Sequence, residues 1–467
     1  MAILRSTVVR QAAARLAPAA SPSVVLSAIP RTAPDCTITR QPAVLVAPDR
    51  PTPRQSLYLS NIDDQLGTRY HVPKLLFYRS DSDSSKKKNE KDPVKVVKEA
   101  LAKVLVHYYP FAGRLRNADN GKLTVECTGE GVLFVEADAD ISLEDFGDLY
   151  PPIPRGDEFI NNVPGSENIT DSPLLLVQVT RLRCGGFVLG LRSNHCMTDG
   201  VGIAQFIKAM AEMARGAASP VVPPVWNREI LRPREKPIVE FPHPEYDQPT
   251  PDEYKQLMAP QEEMSINKSF FFGLRDIDAL KRQVEGSNCT TFEALSACLW
   301  QSRTEALKLP ADQDLKMLFA LNARSRFQPP LPAGYYGNAI SFACAEAKVG
   351  DLTHQPLSFA VNLINEAKRR IDDKYLRSAI DLMEVKGRPH FAVGGSYIIT
   401  DLSKVEYGKA DFGWGKAVYG GFASGVTFGV SNFSVPLMKN FHGIVAPVCL
   451  PPIAMENFEE IVSRAIN

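Results

Sequence analysis

A continuous apolar run, Gly186-Phe187-Val188-Leu189-Gly190-Leu191, gives way to the polar stretch Asn194-His195-Cys196-Met197-Thr198-Asp199-Gly200, and this junction constrains the fold more than any other part of the sequence. A short apolar run without alternation is what a strand covered on both faces presents. Past Gly200 the period changes: Ile203, Phe206, Ile207, Met210, Ala211 and Ala214 recur at three- and four-residue spacing, and Gly216 stands where a helix would stop. The chain is thereby committed to strand, loop and helix in succession. A His and an Asp sit on the loop between two rigid elements, where chemistry is commonly held.

At 467 residues the chain fits two domains better than one. Lys plus Arg (53) balance Asp plus Glu (53), so no net field draws it to nucleic acid or to an acidic membrane surface. Its eight cysteines, at 36, 127, 184, 196, 289, 298, 344 and 449, are scattered singly without a CxxC pair, which reads as reduced core thiols rather than a disulfide frame or a metal site. No apolar run reaches the roughly eighteen residues of a membrane span. Residues 1–36 stand apart: Arg5, Arg10, Arg15 and Arg31 lie among Ala, Ser, Val and Pro, with no acidic residue before Asp35. That composition is close to an organellar transit peptide, although a disordered extension or wrongly joined upstream sequence is the favoured reading. The expected location is cytoplasmic, or plastid or mitochondrial if the segment is a transit peptide.

The globular pattern begins at Thr37. Strands are expected at Ala43–Val46, Val72–Tyr78, Leu123–Val125, Val132–Val135 and Leu174–Thr180. The clearest helix opens with Asp92 as cap and Pro93 at its first position, and buries a stripe of Val94, Val97, Leu101, Leu105 and Tyr108. After Gly216, prolines from Pro220 to Pro260 punctuate a stretch of weak periodicity that reads as a crossover loop over 217–260. The second half reads as a helix at Thr291–Leu307, strands at Lys316–Asn322, Ala339–Ala343 and Ser396–Thr400, and one long helix from about Pro356 to Lys374. The expected plan is an extension (1–36), a first domain (37–216), the crossover (217–260) and a second domain (261–467), in the α/β or mixed α+β class.

A histidine at a strand-to-loop junction can take and return a proton near neutrality. The residues alone favour a solvated or hydrogen-bonded core histidine over a catalytic one. Metal chemistry lacks ligands, with no HExxH and no Cys/His cluster near His195. Cys196, as the next residue, faces away from His195, and no G-x-S-x-G elbow supplies a hydroxyl nucleophile. A second constellation, Asp411-Phe412-Gly413-Trp414-Gly415, specifies a tight bend holding an aromatic. Its Asp-Phe-Gly core is not a kinase signature, because no His-Arg-Asp loop accompanies it.

His-X-X-X-Asp-Gly in mid-chain together with Asp-Phe-Gly-Trp-Gly near the end resembles the plant BAHD acyltransferases, which move an acyl group from coenzyme A to an alcohol or amine. Tyr108 to Leu115, Asn322-Ala323-Arg324 and Gly334 to Ala339 fit the same resemblance. Leu59 to Gln65, Ala211 to Gly216 and Pro224 to Glu229 are similar to the benzyl alcohol benzoyltransferase and alcohol acyltransferase branch. The resemblance implies two chloramphenicol-acetyltransferase-like domains, each a mixed sheet flanked by helices, with a channel between them. It implies acyl-CoA as co-substrate, a small alcohol or amine as acceptor, no permanently bound cofactor, no metal, no nucleic-acid or membrane partner, and a monomer. On this reading His195 is the base of a direct transfer, and Asp199 points away from substrate to pair with Arg324. Asp411 is a further catalytic candidate, while Phe412, Gly413, Trp414 and Gly415 shape the channel on the CoA side. Thr290 and Thr291 are candidate CoA contacts at a helix N-terminus. An ester product is expected, with an N-acyltransferase and a silent binding relative as alternatives. Residues 1–36 depart from the family pattern.

Overall fold

The structure, a computed structural model, describes residues 35–80, 91–160, 162, 168–247, 265–284, 289–391, 396–423, 434–440 and 443–466. The expected transit-like segment therefore lies, but for its last two residues, outside the described residues, as does the end of the crossover. Strands of the first half are β1 (Ile38–Arg40), β2 (Val44–Val46), β3 (Ser56–Tyr58), β4 (His71–Tyr78), β5 (Arg114–Asn117), β6 (Leu123–Glu126), β7 (Val132–Ala139), β8 (Leu175–Leu182) and β9 (Phe187–Asn194). Its helices are α1 (Pro93–His107) and α2 (Gly200–Ala214). The later strands are β10 (Ile266–Gly273), β11 (Asp314–Asn322), β12 (Ile340–Lys348), β13 (Ser396–Asp401), β14 (Tyr419–Gly421), β15 (Ser434–Asn440) and β16 (Gly443–Leu450). They form a seven-stranded sheet ordered β1-β7-β8-β9-β4-β14 with β2 also on β7, a six-stranded sheet ordered β10-β16-β15-β13-β11-β12, and a small sheet β3-β6-β5.

β9 explains its own lack of alternation. Phe187, Leu189 and Leu191 face a core shared with α1 and α2, whereas Val188 faces a second layer with Leu75, Phe77 and Phe159. Both faces are covered, so both want apolar side chains. α1 starts where Asp92 accepts a hydrogen bond from the Val94 N–H (3.2 Å), with Pro93 at a position whose missing N–H costs nothing. α2 ends at Gly216, whose φ of +93° lies in the left-handed region open to glycine.

The core of the second half surrounds helix Thr291–Leu307, with helices Leu357–Arg370 and Pro452–Ile466 against it. The single long helix expected from Pro356 to Lys374 is two: the first stops at Arg370 and a second spans Asp373–Val385. The break has a local cause. Ile371 turns extended to bury its side chain, and Asp372 then caps the new helix by accepting from the Tyr375 N–H (2.9 Å). The described part of the crossover has no strand and only short 3₁₀ turns, and is pinned to the second half by the Arg234–Asp381 ion pair (2.5 Å).

Chain from the second half also returns to the first. β14 pairs antiparallel with β4, and Phe412 and Trp414 bury in the first-half core against Tyr78 and Phe187. Packing therefore does not follow the boundary at 261.

Gly190, mid-β9, has the Phe159 backbone carbonyl where a Cβ would stand. Gly190→Ala should destabilise the protein by about 1–3 kcal/mol through overpacking, read as a lowered midpoint in chemical denaturation at unchanged slope.

Candidate active site

β9 pairs with β4 up to Asn194 opposite His71, and the chain then leaves the sheet in a single 3₁₀ turn, His195–Met197. Asn194 starts that turn by accepting from the Cys196 N–H (3.0 Å). The His195 N–H donates to the Tyr70 carbonyl (2.9 Å), and the Asn338 amide donates to the His195 carbonyl (2.7 Å). The Tyr70 ring lies edge-on to the imidazole, with centroids 5.6 Å apart. His195 is thus held at its backbone by residues from both halves, with Tyr70 against its ring.

The imidazole opens into a cavity of about 1260 Å³, its mouth included. First-half walls include Tyr70, Val72 and Lys74; the second half supplies Leu321, Ile340, Phe342 and Ile398. Burial lowers the His195 pKa below the usual 6.5; its own carbonyl opposes this, Lys74 adds a smaller lowering, and Asp199 and Asn338 raise it more weakly still. The ring is consequently neutral at neutral pH and has a lone pair to accept a proton.

Asp199 lines the same cavity but is otherwise engaged. Its carboxylate takes two parallel bonds from Arg324, at 2.8 and 3.0 Å, and two more from the N–H groups of Gly202 (2.9 Å) and Ala339 (3.1 Å). Burial pushes its pKa up, yet Arg324 and the two amides more than offset this and hold it below the usual carboxylate range. A carboxylate so saturated caps α2 and anchors the loop rather than moving protons. Arg324 is itself oriented by the carbonyls of Tyr335 (3.1 Å) and Gly337 (2.7 Å).

Below the loop lies a pair that sequence reasoning missed: Arg228 from the crossover and Asp63, both fully buried, 3.1 Å apart. Arg228 also donates to the Met197 carbonyl (2.9 Å), and its guanidinium lies over the rings of Trp226, Tyr335 and Tyr336. Asp63 accepts from the Asn338 backbone and side chain (2.9 and 3.0 Å). The stretches around Leu59–Gln65, Pro224–Glu229 and Gly334–Ala339, which stood out in the sequence, meet here. Lys74 was also missed; it read as an ordinary strand residue.

The remaining candidates lie elsewhere. Asp411 does not line the His195 cavity. Its Oδ1 accepts from the Gly413 (2.7 Å) and Gly415 (2.9 Å) N–H groups, so the carboxylate closes its own turn, and the catalytic assignment to Asp411 gives way to a structural one. Gly413 (φ +107°) and Gly415 (φ +78°) supply the left-handed backbone that the turn needs. Phe412 and Trp414 are core residues, and the Asp411 carbonyl accepts from Arg215 (2.7 Å) just past α2. Thr290 and Thr291 do not line the cavity either. Thr290 caps helix Thr291–Leu307 in a capping box with Glu293, whose carboxylate pairs with Lys368 and already occupies the positive helix end. Cys196 is buried against the Thr68 carbonyl (3.5 Å), and burial raises its thiol pKa far above the ordinary range.

Two outcomes check this reading of the supports. Arg228→Met strands the Asp63 charge in the interior and should cost about 3–5 kcal/mol in equilibrium unfolding. A double-mutant cycle on Asp199→Asn and Arg324→Gln should give a coupling above about 1 kcal/mol, whereas independent sites would give additive losses.

A family model described as "Transferase: Transferase family" matches residues 36–464. Benzyl alcohol O-benzoyltransferase of Petunia hybrida is 49% identical over 430 residues, covering 90% of this chain and 92% of that protein. The 13-hydroxylupanine O-tigloyltransferase of Lupinus albus is 45% identical over 432 residues, covering 91% and 93%. Among solved structures, vinorine synthase superposes with a TM-score of 0.71 at 23% identity over 90% of this chain and 96% of its own. TRI101 of F. sporotrichioides complexed with coenzyme A and T-2 superposes with a TM-score of 0.63 at 18% identity, covering 87% and 97%. With the family match running almost the full described length and both sequence motifs in place, the chain belongs to the BAHD acyltransferases of the Transferase family and is an acyl-CoA-dependent O-acyltransferase.

Proposed function

We propose that the enzyme esterifies small aromatic or aliphatic alcohols, benzyl alcohol with benzoyl-CoA among them, by direct transfer in a ternary complex with His195 as the base. The observation that carries this reading is a neutral, fixed imidazole opening into a cavity with largely apolar walls. His195 takes the hydroxyl proton as the alcohol oxygen bonds to the thioester carbonyl carbon. The C–S bond then breaks, and the proton passes to the departing thiolate. No acyl-enzyme is needed, and the adjacent thiol of Cys196 is too deeply held to form one. Positioning of the two substrates supplies much of the rate. The choice of benzoyl and benzyl groups rests on the relatives' names; apolar walls discriminate only weakly between hydrocarbon groups. That both walls come from one chain supports a monomer as the working unit.

The test is a panel of acyl-CoAs against alcohols and amines, with products identified by mass. Ester with benzyl alcohol and benzoyl-CoA is expected; amide alone would overturn the reading. His195→Ala should lower kcat by about 10²–10⁴ with the thermal midpoint little changed, and full turnover in that variant would remove His195 from the mechanism. The lowered pKa also has a sign: protonation of His195 removes the base, so kcat/KM should hold as pH falls to about 6.5, the unperturbed histidine value, and drop only below it. An acid limb centred above that value would contradict the environment described for the ring.

A further inference from the structure

Lys74 lies on β4 opposite Leu191 of β9, follows Val72 on the cavity-facing side of the strand, and is 3% exposed. It lines the same cavity as His195, and its ammonium stands 5.9 Å from the centre of the Phe422 ring just beyond β14. Among the described residues it makes no hydrogen bond and no ion pair. Of the carboxylates that line the cavity among the described residues, Asp199 is paired with Arg324, and Asp401 accepts at Oδ1 from the Ser403 N–H (3.0 Å) and hydroxyl (2.5 Å). A cation withdrawn from water without a counter-charge destabilises the fold, and an apolar side chain of the same length would fill this place without that cost. Desolvation alone pulls the Lys74 pKa down to about 7, which is the state of a group still lacking its anion. The structure thus contains a buried donor of three N–H bonds, facing the substrate space, with the face of the Phe422 ring beside it but no hydrogen-bond acceptor or counter-charge among the described residues.

We propose that Lys74 is a subsite for a carboxylate carried by the substrate, so that the cavity selects a hydroxy-acid acceptor or an acyl group ending in a second carboxyl. This rests on the reading of the His195 cavity as the transfer site. Binding there restores the Lys74 charge, forms a desolvated ion pair and orients the substrate against the imidazole. Lys74 acts on selectivity; the proton remains with His195. An uncharged alcohol binds in the same space without this contact, which leaves room for turnover of both kinds.

The experiment uses the full chain as wild type, Lys74→Met and Lys74→Arg. In one arm benzoyl-CoA is given benzyl alcohol or 4-(hydroxymethyl)benzoate; in the other benzyl alcohol is given butanoyl-CoA or succinyl-CoA. Lys74→Met should cut the charged-to-neutral ratio of kcat/KM by about tenfold or more in one arm, measured at a pH where His195 is neutral in both proteins, and Lys74→Arg should restore part of it. The arm that responds identifies whether acceptor or acyl group carries the carboxylate. A ratio that stays within about threefold of wild type in both arms overturns the proposal, as does equal loss of charged and neutral substrates. Calorimetric titration of 4-(hydroxymethyl)benzoate and of succinyl-CoA reads the subsite without turnover. Equal affinities in wild type and Lys74→Met overturn it even in an active enzyme, and weaker binding in the variant supports it even if the transfer reaction fails.

Discussion

The ion pair between Asp63 and Arg228 holds together segments that are far apart in sequence. Neither side chain reaches solvent, and each is satisfied in a different direction. Asp63 gathers Ser60 and Asn338, while Arg228 reaches the Met197 carbonyl and spreads its flat face across three aromatic rings. Taking both charges out of water is costly, and the attraction repays it only because the remaining bonding capacity is largely filled. Arginine suits the position as lysine would not, since a planar delocalised cation can stack on aromatics and donate in several directions together. The consequence is that the His195 loop is supported from below by the crossover and from the side by the second half.

The two motif residues divide the work by environment. His195 is buried with few charges near it, so desolvation governs and the ring stays neutral. Asp199, four residues on, is more deeply buried but surrounded by donors, so desolvation is outweighed and the carboxylate stays ionised. One turn of chain therefore carries a proton acceptor and a fixed anion without conflict. Part of the electrostatics of the site comes from the second half, through Arg324 and Asn338, although the motif lies in the first.

What could be read from the sequence was what local pattern controls. The unalternating run of β9, the Asp92-Pro93 start and the Gly216 stop are short-range consequences of burial, capping and backbone freedom. Thr290 with Glu293 three residues on was a capping box in plain view, which indicates a self-satisfied helix end rather than an anion site. Asp411 ahead of two glycines similarly spells a closed turn. The helix break at Ile371 was hidden because a single inward rotation of one residue caused it, with strong helix formers on either side. Arg228 and Lys74 were invisible for a different reason. Nothing beside them in the chain marks them as buried, and only tertiary packing brings Asp63 to one and leaves the other without a partner.

Because β14 occupies the outer edge of β4, the first-half sheet is finished by a strand that begins at Tyr419 and is synthesised some 225 residues after β9 ends at Asn194. Until it arrives, that edge presents unpaired N–H and C=O groups beside the uncovered rings of Tyr78 and Phe187, the kind of surface on which nascent chains associate wrongly. The halves are thus not exchangeable modules: a hybrid joined in the crossover inherits a foreign edge strand and a foreign aromatic plug. Diversification of such an enzyme is accordingly easier through the cavity walls than through recombination of its halves.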